Sequence, residues 1–262
     1  MPQMIPHPPV VLCLSGHDPT GGAGIQADIE TVSRFGCHPC SVVTALTVQD
    51  THNVRKVLPQ PAGDFLEQAR SLLRDVPVAA VKIGLLGSAA IAHAVRELIE
   101  TVEGLPVVLD PILAAGGGTS LANRDLIEAL KQTLIPRTTV LTPNSPEARK
   151  LAGKEDPADC ARDLLALGCP NVLLTGTHEN GAEVINRLYR ASGTISYRWP
   201  RLPESYHGSG CTLASAVAAL LALGKDVESA ASEAQDFTWQ ALNGGFRPGS
   251  GQWLPNRFYP GT

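Results

Sequence analysis

From residue 10 to residue 174 the chain keeps alternating between two patterns, and this alternation constrains its fold more than any other feature. Short, continuous apolar runs at 10–15, 41–48, 78–83, 107–109, 140–141 and 172–174 read as strands. Between them, residues 25–35, 62–73, 88–102, 122–134 and 157–167 carry apolar side chains at helical spacing. A strand that is apolar on both faces must be covered on both, so the expected fold class is α/β, a three-layer α/β/α arrangement around a mostly parallel sheet. Residues 182–189 and 194–199 alternate instead and flank Ser192-Gly193, which predicts an antiparallel hairpin at the edge of that sheet. Two further helices are expected over 209–223 and 227–242. No linker or internal repeat divides the 262 residues, so one domain over 1–262 is expected, with irregular tails at 1–9 and 244–262.

Charge excludes several classes of function. Lys and Arg total 21 against 25 Asp and Glu, and the net charge of -4 offers no concentrated basic surface for nucleic acid. The longest apolar stretch, 213–223, is far shorter than the ~20 residues that span a bilayer. The first nine residues hold four prolines and no Lys or Arg, unlike a secretory signal, and a cytoplasmic protein is expected. Six cysteines in a chain of this length read as reduced thiols rather than a disulfide framework. Cys37-His38-Pro39-Cys40 has redox or half-zinc spacing, but no second Cys/His pair completes a site, which favours buried structural thiols.

The chemistry-bearing residues gather in loops that follow strands, where ligands of open α/β sheets bind. Gly208-Ser209-Gly210-Cys211 opens an apolar helix. Its backbone N–H groups are open to an anion, and the helix dipole is expected to lower the Cys211 thiol pKa and prepare it as a proton acceptor or nucleophile. A tight turn with a buried cysteine is the alternative. Asp110-Pro111 and Thr142-Pro143-Asn144-Ser145-Pro146-Glu147 close neighbouring strands and suit a Mg²⁺-phosphate site, although Asn144 or Ser145 also reads as a helix cap. Gly116-Gly117-Gly118 and Thr175-Gly176 add two more such loops. Gly22 to Ala27 formally matches a dinucleotide fingerprint, yet it stands several residues beyond the expected end of its strand at Ser15. None of the seven histidines is assigned as a catalytic base.

Six segments together resemble the hydroxymethylpyrimidine/phosphomethylpyrimidine kinases of thiamine biosynthesis. They are residues 15–28, from Ser15-Gly16-His17-Asp18 to Ala27-Asp28; 44–51, including Thr47-Val48-Gln49-Asp50; Lys82-Ile83-Gly84; Asp110-Pro111; Thr142-Pro143-Asn144 with Glu147; and His207-Gly208-Ser209-Gly210-Cys211-Thr212. The resemblance implies a ribokinase-like fold and ATP- and Mg²⁺-dependent phosphorylation of 4-amino-5-hydroxymethyl-2-methylpyrimidine, then of its monophosphate. It implies that Gln49 reads the aminopyrimidine edge with Thr47, Asp28 and Gly16 close by. Gly208, Ser209 and Gly210 would form the anion hole and Cys211 would be the catalytic base. Asn144, Thr175, Gly176 and Lys82 would face the nucleotide, and Asp110 and Glu147 would organise Mg²⁺. A homodimer is the expected assembly, with the small pyrimidine and ATP as ligands and neither nucleic acid nor membrane as partner.

Two departures stand out. Many relatives carry a lysine where Gly116 or Gly117 stands and another where Thr175 stands, whereas only six lysines occur here and Lys82 alone lies at a strand end. Phosphate charge is then left to Mg²⁺, the Cys211 helix, Lys82 or an arginine from elsewhere. A pyridoxal kinase of the same fold and a pyrimidine-binding relative with weakened catalysis are the alternatives.

Overall fold

A computed structural model of the chain describes residues 7–258. Nine strands form one sheet: β1 (Val10–His17), β2 (His38–Gln49), β3 (Val54–Pro59), β4 (Ala80–Ile83), β5 (Val107–Leu109), β6 (Val140–Leu141), β7 (Asn171–Leu174), β8 (Glu183–Arg190) and β9 (Gly193–Pro200), in the order β3-β2-β1-β4-β5-β6-β7-β8-β9. The six strands from β2 to β7 in that order pair in parallel, as the alternation with helices requires. β8 and β9 make the expected antiparallel hairpin at one edge. β3 forms a second antiparallel edge that the sequence pattern did not disclose, because three of its six residues, Arg55, Lys56 and Pro59, are polar or strand-breaking.

Eight helices cover the sheet: α1 (Gly24–Arg34), α2 (Ala62–Asp75), α3 (Ala89–Ile99), α4 (Arg124–Ala129), α5 (Ser145–Ala152), α6 (Pro157–Ala166), α7 (Ser209–Ala222) and α8 (Val227–Asn243). The two-residue period of a strand sorts its side chains between the layers. Leu12, Leu14, Val81, Ile83, Leu109 and Leu141 pack with α2 to α6, whereas Val11, Cys13, Ala80, Val108, Val140 and Leu173 pack with α1, α7 and α8. Residues 211–221 of α7 are buried without exception, and alanines at 214, 216, 218 and 219 let its neighbours approach closely. The helix expected over 122–134 ends at Ala129, widens into a π turn over Leu130–Leu134 and tightens over Ile135–Arg137. Pro136 explains this, since it has no N–H to continue the ladder and its ring crowds the preceding turn.

Of the segments expected to be irregular, residues 1–6 and 259–262 lie outside the described residues. Residues 244–258 contain no helix, yet they are firmly packed. Phe246 and Leu254 bridge one another, Trp253 bridges Tyr206, and Leu254 and Arg257 are buried. No helix among the described residues is long and apolar enough to cross a membrane.

Candidate active site

The glycine-rich loops meet at the C-terminal ends of the parallel strands. α3, α4, α5, α6 and α8 are each capped by a side chain, from Ser88, Asn123, Asn144, Asp156 and Asp226. α1, α2 and α7 are not; of these, α7 has Gly208 as its N-cap, held at φ 90°. Glycine is required there because a Cβ would run into the Gly22 carbonyl. The first bond of the helix runs from the Thr212 N–H to the Gly208 carbonyl at 3.0 Å, and the N–H groups of Ser209, Gly210 and Cys211 have no acceptor among the described residues. Asp110 stands over this end, its Oδ2 3.4 Å from where a Cβ of Gly210 would lie.

Cys211 is buried in that first turn, near the Asp110 carboxylate and approached by the Gly24 N–H. The expectation of a lowered thiol pKa is overturned. Burial, together with the negative charges of Asp110 and Asp28, outweighs Lys82 and pushes the thiol up to about 12. The resting sulfur is a neutral S–H.

Behind the sulfur lies a closed polar cluster. Asp28 accepts hydrogen bonds from Ser15 Oγ at 2.5 Å, Lys82 Nζ at 2.7 Å and Ser215 Oγ at 2.7 Å, and Lys82 also reaches Ser15 Oγ at 3.0 Å. The Lys82 and Asp28 side chains are both 0% exposed. Burial works against the lysine charge, but the carboxylate of Asp28, with Cys211 and Asp110, keeps its pKa above the ordinary value. Lys82 therefore faces Asp28, and the donors to Asp28, from Ser15, Lys82 and Ser215, all come from within the fold. Both sit in the α1/α7 layer, where the two-residue period of β4 directs Lys82.

A second pair of acids is unlike the first. Asp110 Oδ2 is buried without a hydrogen-bond partner. Burial raises the Asp110 pKa to about 6 even though Lys82 opposes it. Glu147 is pushed to about 8 by burial and by the charge of Asp110. Its two oxygens accept the Leu113 N–H at 3.3 Å and the Asn144 N–H at 3.0 Å, the latter as half of a capping box with Asn144 Oδ1. No group of three or more metal-ligating side chains occurs among the described residues. The unsatisfied Asp110 oxygen beside a second buried acid suits a cation that keeps most of its waters.

Asn144 bridges Thr175 in parallel, and the Thr175 N–H binds the Pro143 carbonyl at 2.9 Å. With its oxygen in the cap, Asn144 has its amide NH₂ to offer. Gly176 is pressed against the Ile185 backbone and donates its N–H to Asn186 at 3.0 Å. Gly16 is buried against Leu85, and Thr47 donates to the His17 carbonyl at 2.9 Å. Gln49 lies 3.2 Å from His207 Nε2, which is itself 2.8 Å from Asp18 Oδ2. Sequence reasoning missed this Asp18–His207–Gln49 chain, since Asp18 and His207 are 189 residues apart; the only signal was that both lie in glycine-rich loops. The His207 and Thr20 hydrogen bonds hold the Asp18 carboxyl below its usual range against the opposing effect of burial.

The missing loop lysines have a steric counterpart. Gly117 abuts the His52 carbonyl and Asn53, and Gly116 abuts the Gln252 side chain, so the turn at 50–53 and the C-terminal segment occupy the space beside the loop. The glycines at 22 and 24 likewise make room for Leu254, His207 and the Gly16 carbonyl, which removes the basis for a dinucleotide fingerprint there.

An uncapped helix end beside buried carboxylates at the strand ends of this α/β scaffold suits a small-molecule kinase. The phosphomethylpyrimidine kinase model matches residues 18–256, and the chain belongs to that family. It is 34% identical to the hydroxymethylpyrimidine/phosphomethylpyrimidine kinase of Aquifex aeolicus, over 92% of this chain and 97% of that one. It is 38% identical to the Streptomyces coelicolor kinase of the same name, over 93% and 92%. A match to a bifunctional thiamine biosynthesis protein of Geobacter sulfurreducens spans about half of that protein, at 37% identity over 88% of this chain and 49% of the relative. Among solved structures, an ADP complex of Bacillus subtilis pyridoxal kinase superposes with a TM-score of 0.87 at 27% identity, covering 95% of this chain and 97% of that one. A phosphomethylpyrimidine kinase from Clostridium difficile superposes with a TM-score of 0.79 at 31% identity, covering 89% and 99%.

Proposed function

We propose that the protein transfers the terminal phosphoryl group of ATP to the hydroxymethyl group of 4-amino-5-hydroxymethyl-2-methylpyrimidine, and then to the resulting monophosphate, for thiamine synthesis. The observation that carries this reading is the uncapped α7 end, where free N–H groups of Ser209 and Gly210 meet the Cys211 thiol and the Asp110 carboxylate. Phosphoryl transfer asks a protein chiefly to position its reactants and stabilise charge. In this role Gly208, Ser209 and Gly210 cradle the moving phosphoryl group. Asn144, Thr175 and Gly176 flank the nucleotide, and Gln49, oriented by His207, reads the pyrimidine with Thr47 and Gly16 alongside. Asp110 would hold Mg²⁺ through its unpartnered oxygen, and Glu147, already engaged by two N–H groups, would act on the waters of that ion. When bound, Mg²⁺ supplies positive charge to the phosphate oxygens. Because the resting thiol is neutral, Cys211 can take the alcohol proton only as its own proton leaves, and the nearby Asp110 carboxylate is the acceptor proposed for it; the pair, rather than a preformed thiolate, is the base.

The pyrimidine reading stands ahead of pyridoxal because the Aquifex and Streptomyces relatives, at 34% and 38% identity, are named hydroxymethylpyrimidine/phosphomethylpyrimidine kinases, against 27% for the solved pyridoxal kinase. ADP release with the pyrimidine alcohol, its monophosphate and pyridoxal tests this. Turnover of both pyrimidines is expected. Turnover of pyridoxal alone would reassign the substrate, and binding without any transfer would leave a catalytically silent relative.

A further inference from the structure

Sequence patterning assigned the C-terminal segment no role, yet it brings a cation directly beneath the phosphoryl-binding loop. Arg257 is 2% exposed. Its Nε donates to Thr212 Oγ1 at 2.9 Å, and the Thr212 hydroxyl donates in turn to the Gly208 carbonyl at 2.8 Å. One terminal nitrogen binds the Gly22 carbonyl. The other binds the Gly21 carbonyl at 3.4 Å and Glu30 Oε2 at 3.0 Å. A Cβ on Gly208 would lie 3.0 Å from this guanidinium. The adjoining residues clamp the same loops: the His207 N–H binds the Trp253 carbonyl at 2.9 Å, and Leu254 packs against Gly22.

A trans peptide is planar, so anchoring its carbonyl on one side fixes the N–H of the next residue on the other. Holding the Gly208 oxygen therefore aims the Ser209 N–H. Holding the Gly21 and Gly22 oxygens aims the N–H groups of Gly22 and Ala23, which go to Thr20 Oγ1 at 3.2 Å and Asp18 Oδ2 at 2.9 Å. Glu30 balances the arginine charge locally, which leaves geometry rather than long-range field as its contribution. Only a planar fork with several donors can serve two carbonyls, a hydroxyl and a carboxylate at once; an ammonium group cannot.

We propose that Arg257 is a positioning residue for phosphoryl transfer: through Thr212 it locks the Gly208–Ser209 peptide so that the Ser209 N–H faces the transferring group. This rests on the reading of residues 208–210 as the phosphoryl cradle. The test compares full-length wild type with Arg257→Lys, Arg257→Ala, Thr212→Val and the Arg257→Lys/Thr212→Val double variant. Arg257→Lys and Thr212→Val are each expected to lower kcat by about 10- to 100-fold, the cost of a misplaced group, with pyrimidine Kd by calorimetry within about twofold of wild type. The double variant should be about as slow as the slower single, since both break one relay. Amide hydrogen exchange at Ser209–Cys211 should accelerate in each, and millimolar guanidinium should restore part of the Arg257→Ala turnover. If Arg257→Ala fails to fold, the lysine and valine variants carry the test. Wild-type kcat in Arg257→Lys, additive losses in the double variant, or a kcat loss equal to the loss of folded protein would overturn the proposal. Absence of turnover by the wild type would refute the kinase reading itself, while the exchange measurement still reports on the lock.

Discussion

Two buried acid clusters lie near the Cys211 sulfur, and they are built to opposite standards. Around Asp28 the account is closed: a lysine and two serine hydroxyls meet the carboxylate, and all of it is sealed between β1, β4, α1 and α7. Around Asp110 the account is open: one carboxylate oxygen has no partner, and the neighbouring Glu147 is raised by burial and by the Asp110 charge. A buried charge that is fully paired serves the fold, whereas a buried acid left unpaired beside another acid costs stability unless something binds there. The first cluster therefore reads as architecture and the second as the part of the site that a ligand completes.

The largest effect should come from breaking the closed cluster. Lys82→Met leaves Asp28 buried without its counter-charge and is expected to cost about 3–5 kcal/mol in urea denaturation. Adding Asp28→Asn should recover a substantial part of that loss; a double variant as unstable as the single would mean that the pair is not the source. In the open cluster the effect falls on rate instead. Cys211→Ala is expected to lower kcat by about 10² or more with pyrimidine binding largely retained. Unchanged kcat would remove Cys211 from the proton path.

The smallest effect distinguishes the clusters by pH. Asp110 and Glu147 have folded-state pKa values, about 6 and about 8, above the ordinary carboxyl values of 3.8 and 4.5. Raised carboxyl values contribute stability that is complete at low pH, below the unfolded values. That contribution is lost as pH rises through the folded values. In chelator, Tm should therefore fall between about pH 4 and about pH 9, and Mg²⁺ should oppose the fall. At tenfold excess over Kd the ion would add about 1.4 kcal/mol at the alkaline end and less at the acid end. Asp110→Asn should abolish that increment. An increment independent of pH, or one that survives in Asp110→Asn, would place the cation elsewhere.

The closed cluster was the harder of the two to see in the sequence. Asp28 and Lys82 stand 54 residues apart on a helix and a strand, and their motifs alone pointed both of them outward to ligands. The layers themselves were readable, because continuous apolar strands and amphipathic helices have distinct periods. The gathering of glycine loops at one sheet edge followed from strand direction. α5 carries a local signal, since Asn144 followed by Pro146 and Glu147 spells a capping box. Nothing local marked the Cys211 environment. A helix N-terminus argues for a low thiol pKa, and only the tertiary packing reveals the burial and carboxylates that reverse it. Arg257 was invisible for a similar reason: an arginine in a Gly/Pro-rich tail looks solvated until its partners, 45 to 236 residues away, are in place.

The open cluster is tested most directly by following phosphorus NMR of ATP, Mg²⁺ and the pyrimidine alcohol with wild type and Asp110→Asn, both shown to be folded. Wild type should yield the pyrimidine monophosphate resonance and then that of the diphosphate, while Asp110→Asn, at least as stable as wild type above neutral pH, should be slower in both transfers by about 10² or more. Wild-type transfer rates in Asp110→Asn, or no pyrimidine phosphate from the wild type, would contradict the account.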